Sequence, residues 1–147
     1  MALPAPFRWG GESKPVVLPD GTVRVFFRNE IRRICYADYH IGTDAWDAPV
    51  ILPVLVHSDC NFGTAVHNGR ILVAYARGVG SEARNRSNGR LYAFAQANNG
   101  ELVLEDTYFI TDGAFSYAVL TEIDEGTVGL LYDTCGDGIV LFEKIEI

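Results

Sequence analysis

The sequence predicts an all-β fold of the propeller kind, with about three blades' worth of strands, and three observations carry that prediction. Runs rich in Val, Ile, Phe, Tyr and Thr recur along the chain, and no segment keeps a helical period for three turns. Gly, Asn, Asp and Pro punctuate those runs at turn-forming spacings. The runs also group into three rounds of roughly 45 residues, each with three or four strands and a Gly turn after the first. A β-sandwich is the alternative that the same strand spacing permits.

In chain order, residues 1–11 are Pro- and Gly-rich and read as an extended lead-in; 12–147 carry the strands. The first round is Pro15 to Leu18, the turn Pro19-Asp-Gly21, Thr22 to Arg28, Arg33 to Ala37, and a fourth strand over Trp46 to Leu52. The second is Phe62 to Val66, the turn His67-Asn-Gly69, Arg70 to Ala76, Arg90 to Ala95, the turn Asn98-Asn-Gly100, and Leu102 to Phe109. The third is Phe115 to Glu122, the turn Asp124-Glu-Gly126, Thr127 to Asp133, and Gly138 to Ile147. In that last hairpin Phe115, Tyr117, Val119 and Thr121 alternate with smaller residues, and Tyr117 and Asp133 sit at the outer ends of the two arms. The hairpin therefore brings a phenol and a carboxylate to the same end of the sheet.

Composition narrows the function classes. The 147 residues are 48% hydrophobic and 21% charged, which suits one packed domain rather than a disordered chain. A formal charge of −7 with no basic stripe argues against a nucleic-acid partner. An acidic chain that holds an anion must do so with a local arginine cluster. No stretch reaches the length of a membrane span, and residues 1–30 lack the charged-then-apolar pattern of a signal peptide, so the compartment stays open. Cys35, Cys60 and Cys135 are widely spaced and read as buried free thiols, one disulfide with a spare thiol being the alternative. His40, His57 and His67 have no ligand spacing to each other or to the cysteines, so neither a metal nor a cofactor is expected.

Phe115-Ser-Tyr-Ala-Val-Leu120, followed by Gly129-Leu-Leu-Tyr-Asp133, resembles the C-terminal nucleophile region of the exo-α-sialidases of glycoside hydrolase family 33. There a Ser/Ala-Tyr-Ser segment is followed, one short hairpin later, by Gly-Leu-Leu-Tyr-Glu. Gln96 to Val103 and Asp38 to Trp46 are similar to degenerate forms of the family's Asp-box turn. Its polar side chain closes the turn onto its own backbone, and its Trp packs between blades. The resemblance covers about residues 11–147 and implies the C-terminal half of a six-bladed sialidase-type propeller.

Implied with it is a site for terminal α-linked sialic acid, bound as glycan or free sugar. The anomeric carbon of that sugar carries a carboxylate, which guanidinium groups hold best and which would repel a carboxylate nucleophile. The family uses tyrosine instead, with a glutamate to draw off its proton. Tyr117 matches the nucleophile and Glu12 the base; the alternatives are a half-buried strand tyrosine and an exposed loop glutamate. Arg28 matches an arginine of the carboxylate clamp, and antiparallel pairing would return it to the end of the sheet that holds Glu12. Arg86 matches a second clamp arginine, with Arg84 one step out of register as the alternative; Arg32 and Arg33 read as solvated. Asp133 replaces a glutamate that orients the first clamp arginine. The segment carrying that first arginine, and the acid/base aspartate after it, have no counterpart here. Leaving-group protonation is typically worth ~10²–10⁴-fold, so the chain alone is not expected to turn over substrate. Three blades cannot close a ring, which implies self-association or a complementary N-terminal half. A non-catalytic module for glycan binding or assembly is the second function reading.

Overall fold

The computed structural model describes residues 12–29, 33–54, 62–77, 86–134 and 138–147. The lead-in expected over 1–11 lies outside them, as do Arg32, His57, Cys60, Arg84 and Cys135. The described residues form strands and turns with no helix, and the strands make three antiparallel sheets. The first holds β1 (Lys14–Val17), β2 (Val23–Arg28), β3 (Ile34–His40), β4 (Ala45–Trp46) and β5 (Val50–Ile51). The second is the meander β6 (Gly63–His67), β7 (Arg70–Ala76), β8 (Ser87–Gln96) and β9 (Leu102–Ala114). The third is β10 (Ser116–Asp124), β11 (Thr127–Asp133) and β12 (Val140–Glu146). The three rounds read from the sequence are these three sheets.

Local chemistry explains the turns. Asp20 Oδ1 accepts the Thr22 N–H at 2.9 Å, and this bond holds the Asp20 carboxyl below the usual carboxylate range. Asn68 and Gly69 both have positive φ (50° and 74°), the type I′ geometry that matches strand twist; glycine adopts it without steric cost. Gly126 donates to Asp124 Oδ1 at 3.0 Å in the two-residue turn of the last hairpin.

Two expectations for the first sheet are corrected. The fourth strand is split into β4 and β5, which pair separately with β3, because Pro49 just before β5 has no N–H to give a ladder. Among the described residues Trp46 packs within its own sheet rather than between sheets. Its ring lies 5.0 Å from Tyr39, its direct partner across the same sheet, and it covers a small cluster of Phe27, Cys35 and Ala37.

The main core lies between the sheets. The period-2 alternation sends Phe26 and Tyr36, paired opposite each other with rings 5.7 Å apart, to the face that joins it. Ile71, Leu91 and Phe94 join from the second sheet, and Phe115, Leu120, Leu130 and Tyr132 from the third. The first strand of each sheet packs on the first strand of the next, β1 on β6 and β6 on β10. At Gly63 the approach is close: a Cβ there would stand 3.0 Å from the carbonyl carbon and oxygen of Ala118. Four residues on, His67 Nδ1 is 3.5 Å from Glu122 Oε2, so β6 and β10 run side by side in the same direction.

The sheets are tied at one end. Arg24 donates from Nε and Nη2 to both Asp38 oxygens (2.6 and 2.7 Å) and from Nη2 to the Gly100 carbonyl at 3.3 Å, joining the first sheet to the β8–β9 turn. His67 and Asn68 bond the Glu125 carbonyl, joining the β6–β7 and β10–β11 turns. The β1–β2, β6–β7, β8–β9 and β10–β11 turns therefore share one end of the molecule. The end of β7, the start of β8, the start of β10 and the end of β11 share the other. The third sheet leaves one face open: Val119, Leu131 and Phe142 form a cross-strand row, each roughly half exposed.

Candidate functional site

The end opposite those turns holds Glu12, Arg28, Arg86, Tyr117 and Asp133. Lys14 pairs with Phe26, and the same register carried two residues further sets Glu12 opposite Arg28. The two meet: Arg28 Nη2 lies 2.5 Å from Glu12 Oε2, with the side chains 23% and 31% exposed. The contact is short and charge-assisted. Glu12 has a φ of 58°, a left-handed conformation uncommon outside Gly, Asn and Asp.

Tyr117 sits in a β-bulge. Ser116 pairs with Asp133 and Val119 with Leu131, so three steps on β10 oppose two on β11. The bulge corrects the strict alternation expected here: Phe115 is fully buried, whereas Tyr117 and Val119 are about half exposed. Tyr117 takes a φ of 51°, a strained conformation for an aromatic residue, of the sort that clusters at functional sites. Arg86 reaches it from just before β8. Its Nη1 donates to the Tyr117 hydroxyl at 3.5 Å and its Cζ stands 5.3 Å from the ring centroid, within cation–π range. This places positive charge beside the phenol oxygen.

Backbone packing fixes the pair. The Phe115 N–H donates to the Arg86 carbonyl at 2.8 Å, and Ser87 pairs with Ala114. Phe115 in turn lies over Gly89 on one side and 4.8 Å from the Tyr132 ring on the other. Tyr132 donates to Glu143 Oε1 at 2.7 Å; burial, then that carboxylate, push its phenol up to about 12.

Of the residues expected from sequence, Glu12 and Arg28 form one pair and Arg86 and Tyr117 another, all at the same end. Asp133 shares that end, where its carbonyl accepts the Ser116 hydroxyl at 3.5 Å. By the strand alternation it belongs to the outer face with Leu131, not the inner face with Leu130 and Tyr132. Arg33, expected to be solvated, is half-buried and donates to the Val54 carbonyl at 3.1 Å. Among the described residues no group of three or more His, Cys, Asp or Glu side chains could hold a metal ion.

Sequence reasoning missed Arg24, which is 1% exposed and stacks over Tyr36 at 4.5 Å. The signal was its parity: Arg24 shares the face of Phe26, two residues on, and stands directly opposite Asp38. Asp38 therefore binds Arg24 rather than closing its own turn. In the corresponding turn of the second sheet Asn99 does act on its own backbone, accepting the Glu101 N–H at 3.1 Å.

No family model matches the sequence. The curated proteins contain no match either. Solved structures do match. The crystal structure of the NanB sialidase from Streptococcus pneumoniae, in complex with 2-[(3-chlorobenzyl)ammonio]ethanesulfonate, aligns with a TM-score of 0.81 at 16% identity. The alignment takes in 100% of this chain and 25% of that one, so the chain spans about a quarter of the sialidase's length. Likeness at that identity is a likeness of fold: the three sheets are blades of a sialidase-type β-propeller.

Proposed function

We propose that this chain carries part of a retaining exo-α-sialidase site for terminal α-linked sialic acids. The observation that supports it most is the Arg86–Tyr117 contact at the end of the molecule where Arg28 and Glu12 also meet. In this reading Arg28 and Arg86 hold the substrate carboxylate and Tyr117 Oη attacks the anomeric carbon. Glu12 takes the phenol proton, and water then releases the sugar from the tyrosine. Protonation of the leaving oxygen falls to an aspartate that this chain does not match, and Asp133 orients an arginine supplied with it. A second copy, or a complementary N-terminal half, completes the ring over the open face at Val119, Leu131 and Phe142.

The experiment is a titration of the folded chain with N-acetylneuraminic acid, followed by backbone NMR, beside a fluorogenic sialoside assay. Binding that shifts residues around Arg28, Arg86 and Tyr117, with no turnover by the chain alone, is expected. Arg86→Ala should weaken binding roughly ten- to hundredfold, since a charged hydrogen bond contributes about 1.5–3 kcal/mol. A folded chain that shows no shift at saturating sialic acid would sink the proposal.

A second reading, a sialidase-like module that binds or assembles without turnover, is favoured by one detail. The Glu12 carboxylate is engaged by Arg28, which occupies the proposed base. Restoring the missing half and finding sialoside binding with no hydrolysis would select it.

A further inference from the structure

The second sheet has a recess on its side turned to the first sheet, apart from the Arg86–Tyr117 pair. Arg90 and Tyr92, two residues apart on β8, share that face by strand alternation, whereas Gly89, with Phe115 of the third sheet over it, takes the other. Around Tyr92 stand Pro53 and Val54 from the end of the first sheet, and Leu104 and Thr107 from β9, the edge strand of the meander. Arg77 completes the wall, and the space measures about 330 Å³, at the lower end of the range for small-molecule pockets. Both sheets belong to this chain, so the recess does not depend on a second copy or a complementary half. We propose that it binds a small organic carboxylate with an apolar body, the anionic group held by the Arg77 guanidinium and the Tyr92 hydroxyl.

Two groups facing the recess are left without partners. Tyr92 is 5% exposed, yet among the described residues its hydroxyl makes no hydrogen bond, and the oxygen is not sealed from solvent. A mostly buried hydroxyl left in this state favours an acceptor arriving from outside. Arg77 is exposed, and among the described residues its guanidinium has no hydrogen bond or ion pair, so a guest displaces nothing to reach it. The local field is positive although the chain carries −7 overall. Burial raises the Tyr92 phenol, and Arg77 and Arg90 both pull it back. No carboxylate lines the recess among the described residues; Asp112, the ion-pair partner of Arg90 at 3.3 Å, is itself 81% exposed. Arg90 is held by the Gly89 and Thr111 carbonyls at 2.9 and 3.2 Å, so it contributes charge and leaves the direct bonds to Arg77. A planar carboxylate accepts paired N–H groups from one guanidinium and keeps a lone pair for the phenol O–H. Pro53, Val54 and Leu104 give the guest an apolar wall. An inorganic anion would leave that wall unused, and a neutral guest would leave the guanidinium unmatched.

The test is an amide NMR titration of the folded chain with benzoate, with benzyl alcohol, inorganic phosphate and N-acetylneuraminic acid as separate arms. Benzoate is expected to shift the amides of Val54, Arg77, Arg90, Tyr92 and Thr107, with benzyl alcohol and phosphate weaker by about tenfold or more. Arg77→Gln should weaken benzoate binding roughly ten- to hundredfold, and Tyr92→Phe about three- to tenfold. The phenylalanine variant loses a hydroxyl that bonds nothing in the chain, so its urea midpoint should not fall, which separates lost binding from lost folding. Absence of benzoate shifts at those amides, or benzoate binding unchanged by Arg77→Gln, would overturn the proposal. So would benzyl alcohol or phosphate binding as tightly as benzoate. N-acetylneuraminic acid reports on the site at Arg28 and Tyr117, and benzoate binding should persist in Arg86→Ala, so either site can fail without the other.

Discussion

Gly89→Ala should cost stability through a single collision. A Cβ built on Gly89 stands 2.4 Å from Phe115 Cδ2, 2.6 Å from Cγ and 3.0 Å from Cε2. Ordinary carbon contacts lie near ~3.5 Å, so the ring must give by about 1 Å. It has little room: Phe115 is fully buried, backed by Tyr132 and tied through its own N–H to Arg86. Overpacking of this kind costs about 1–3 kcal/mol. Glycine-to-alanine replacement also restricts the unfolded chain, which returns about 0.4–1 kcal/mol. The net expectation is a loss of about 1–2 kcal/mol, or a melting point lowered by roughly 2–4 °C per kcal/mol at this chain length. Urea denaturation of four proteins measures it: the parent, Gly89→Ala, Phe115→Ala and the double variant. Because alanine at 115 removes Cγ, Cδ2 and Cε2, the atoms that the new methyl strikes, the two changes should couple by about 1 kcal/mol or more. A Gly89→Ala variant as stable as the parent, or simple additivity in the cycle, would refute the reasoning.

The Arg24–Asp38 pair should be asymmetric to mutation. Asp38→Ala strands a guanidinium that is 1% exposed and should cost about 3–5 kcal/mol, whereas Arg24→Met leaves a carboxylate that is 15% exposed and should cost clearly less; chemical denaturation reads both. Tyr132→Phe should lose about 0.5–1.5 kcal/mol near neutral pH by removing the bond to Glu143. Its folded phenol is raised to about 12 against an ordinary value of 10.0, so its contribution is fully present below pH ~10 and fades as pH rises towards ~12. The parent should therefore lose stability over that window more steeply than the Phe variant, measured by unfolding at stepped pH. Cys35 should resist iodoacetamide until the chain unfolds. Burial pushes its thiol up to about 11 against the opposing pull of the Asn29 amide and Arg33, and peptide mapping by mass spectrometry locates the label.

What the sequence disclosed was whatever is decided locally. Asn68-Gly69 and Asp124-Glu125-Gly126 fix two hairpins by the backbone geometry they tolerate, so strand order within each round could be read directly. The Glu12–Arg28 meeting was legible for the same reason, since it follows from the register of one hairpin. The bulge that exposes Tyr117 was not legible, because it is set by Phe115 being drawn under Gly89 of another sheet. Arg24 was only half legible: its parity with Phe26 and its place opposite Asp38 are local, but its bond to Gly100 joins residues 76 apart. Arg86 could not be separated from Arg84 by composition; Arg86, tied to Phe115 through its carbonyl, contacts Tyr117, and Arg84 lies outside the described residues.

Gly63 gives that end of the molecule an adjustment that touches none of its charged groups. The hydrogen it carries in place of a methyl lets the first strand of the second sheet close onto the Ala118 peptide, immediately beside Tyr117. Any larger residue there would act as a wedge, spreading the two inner strands where the phenol emerges. The distance between Arg86 and Tyr117, which stand on the two sheets that meet there, is thus governed in part by one hydrogen atom.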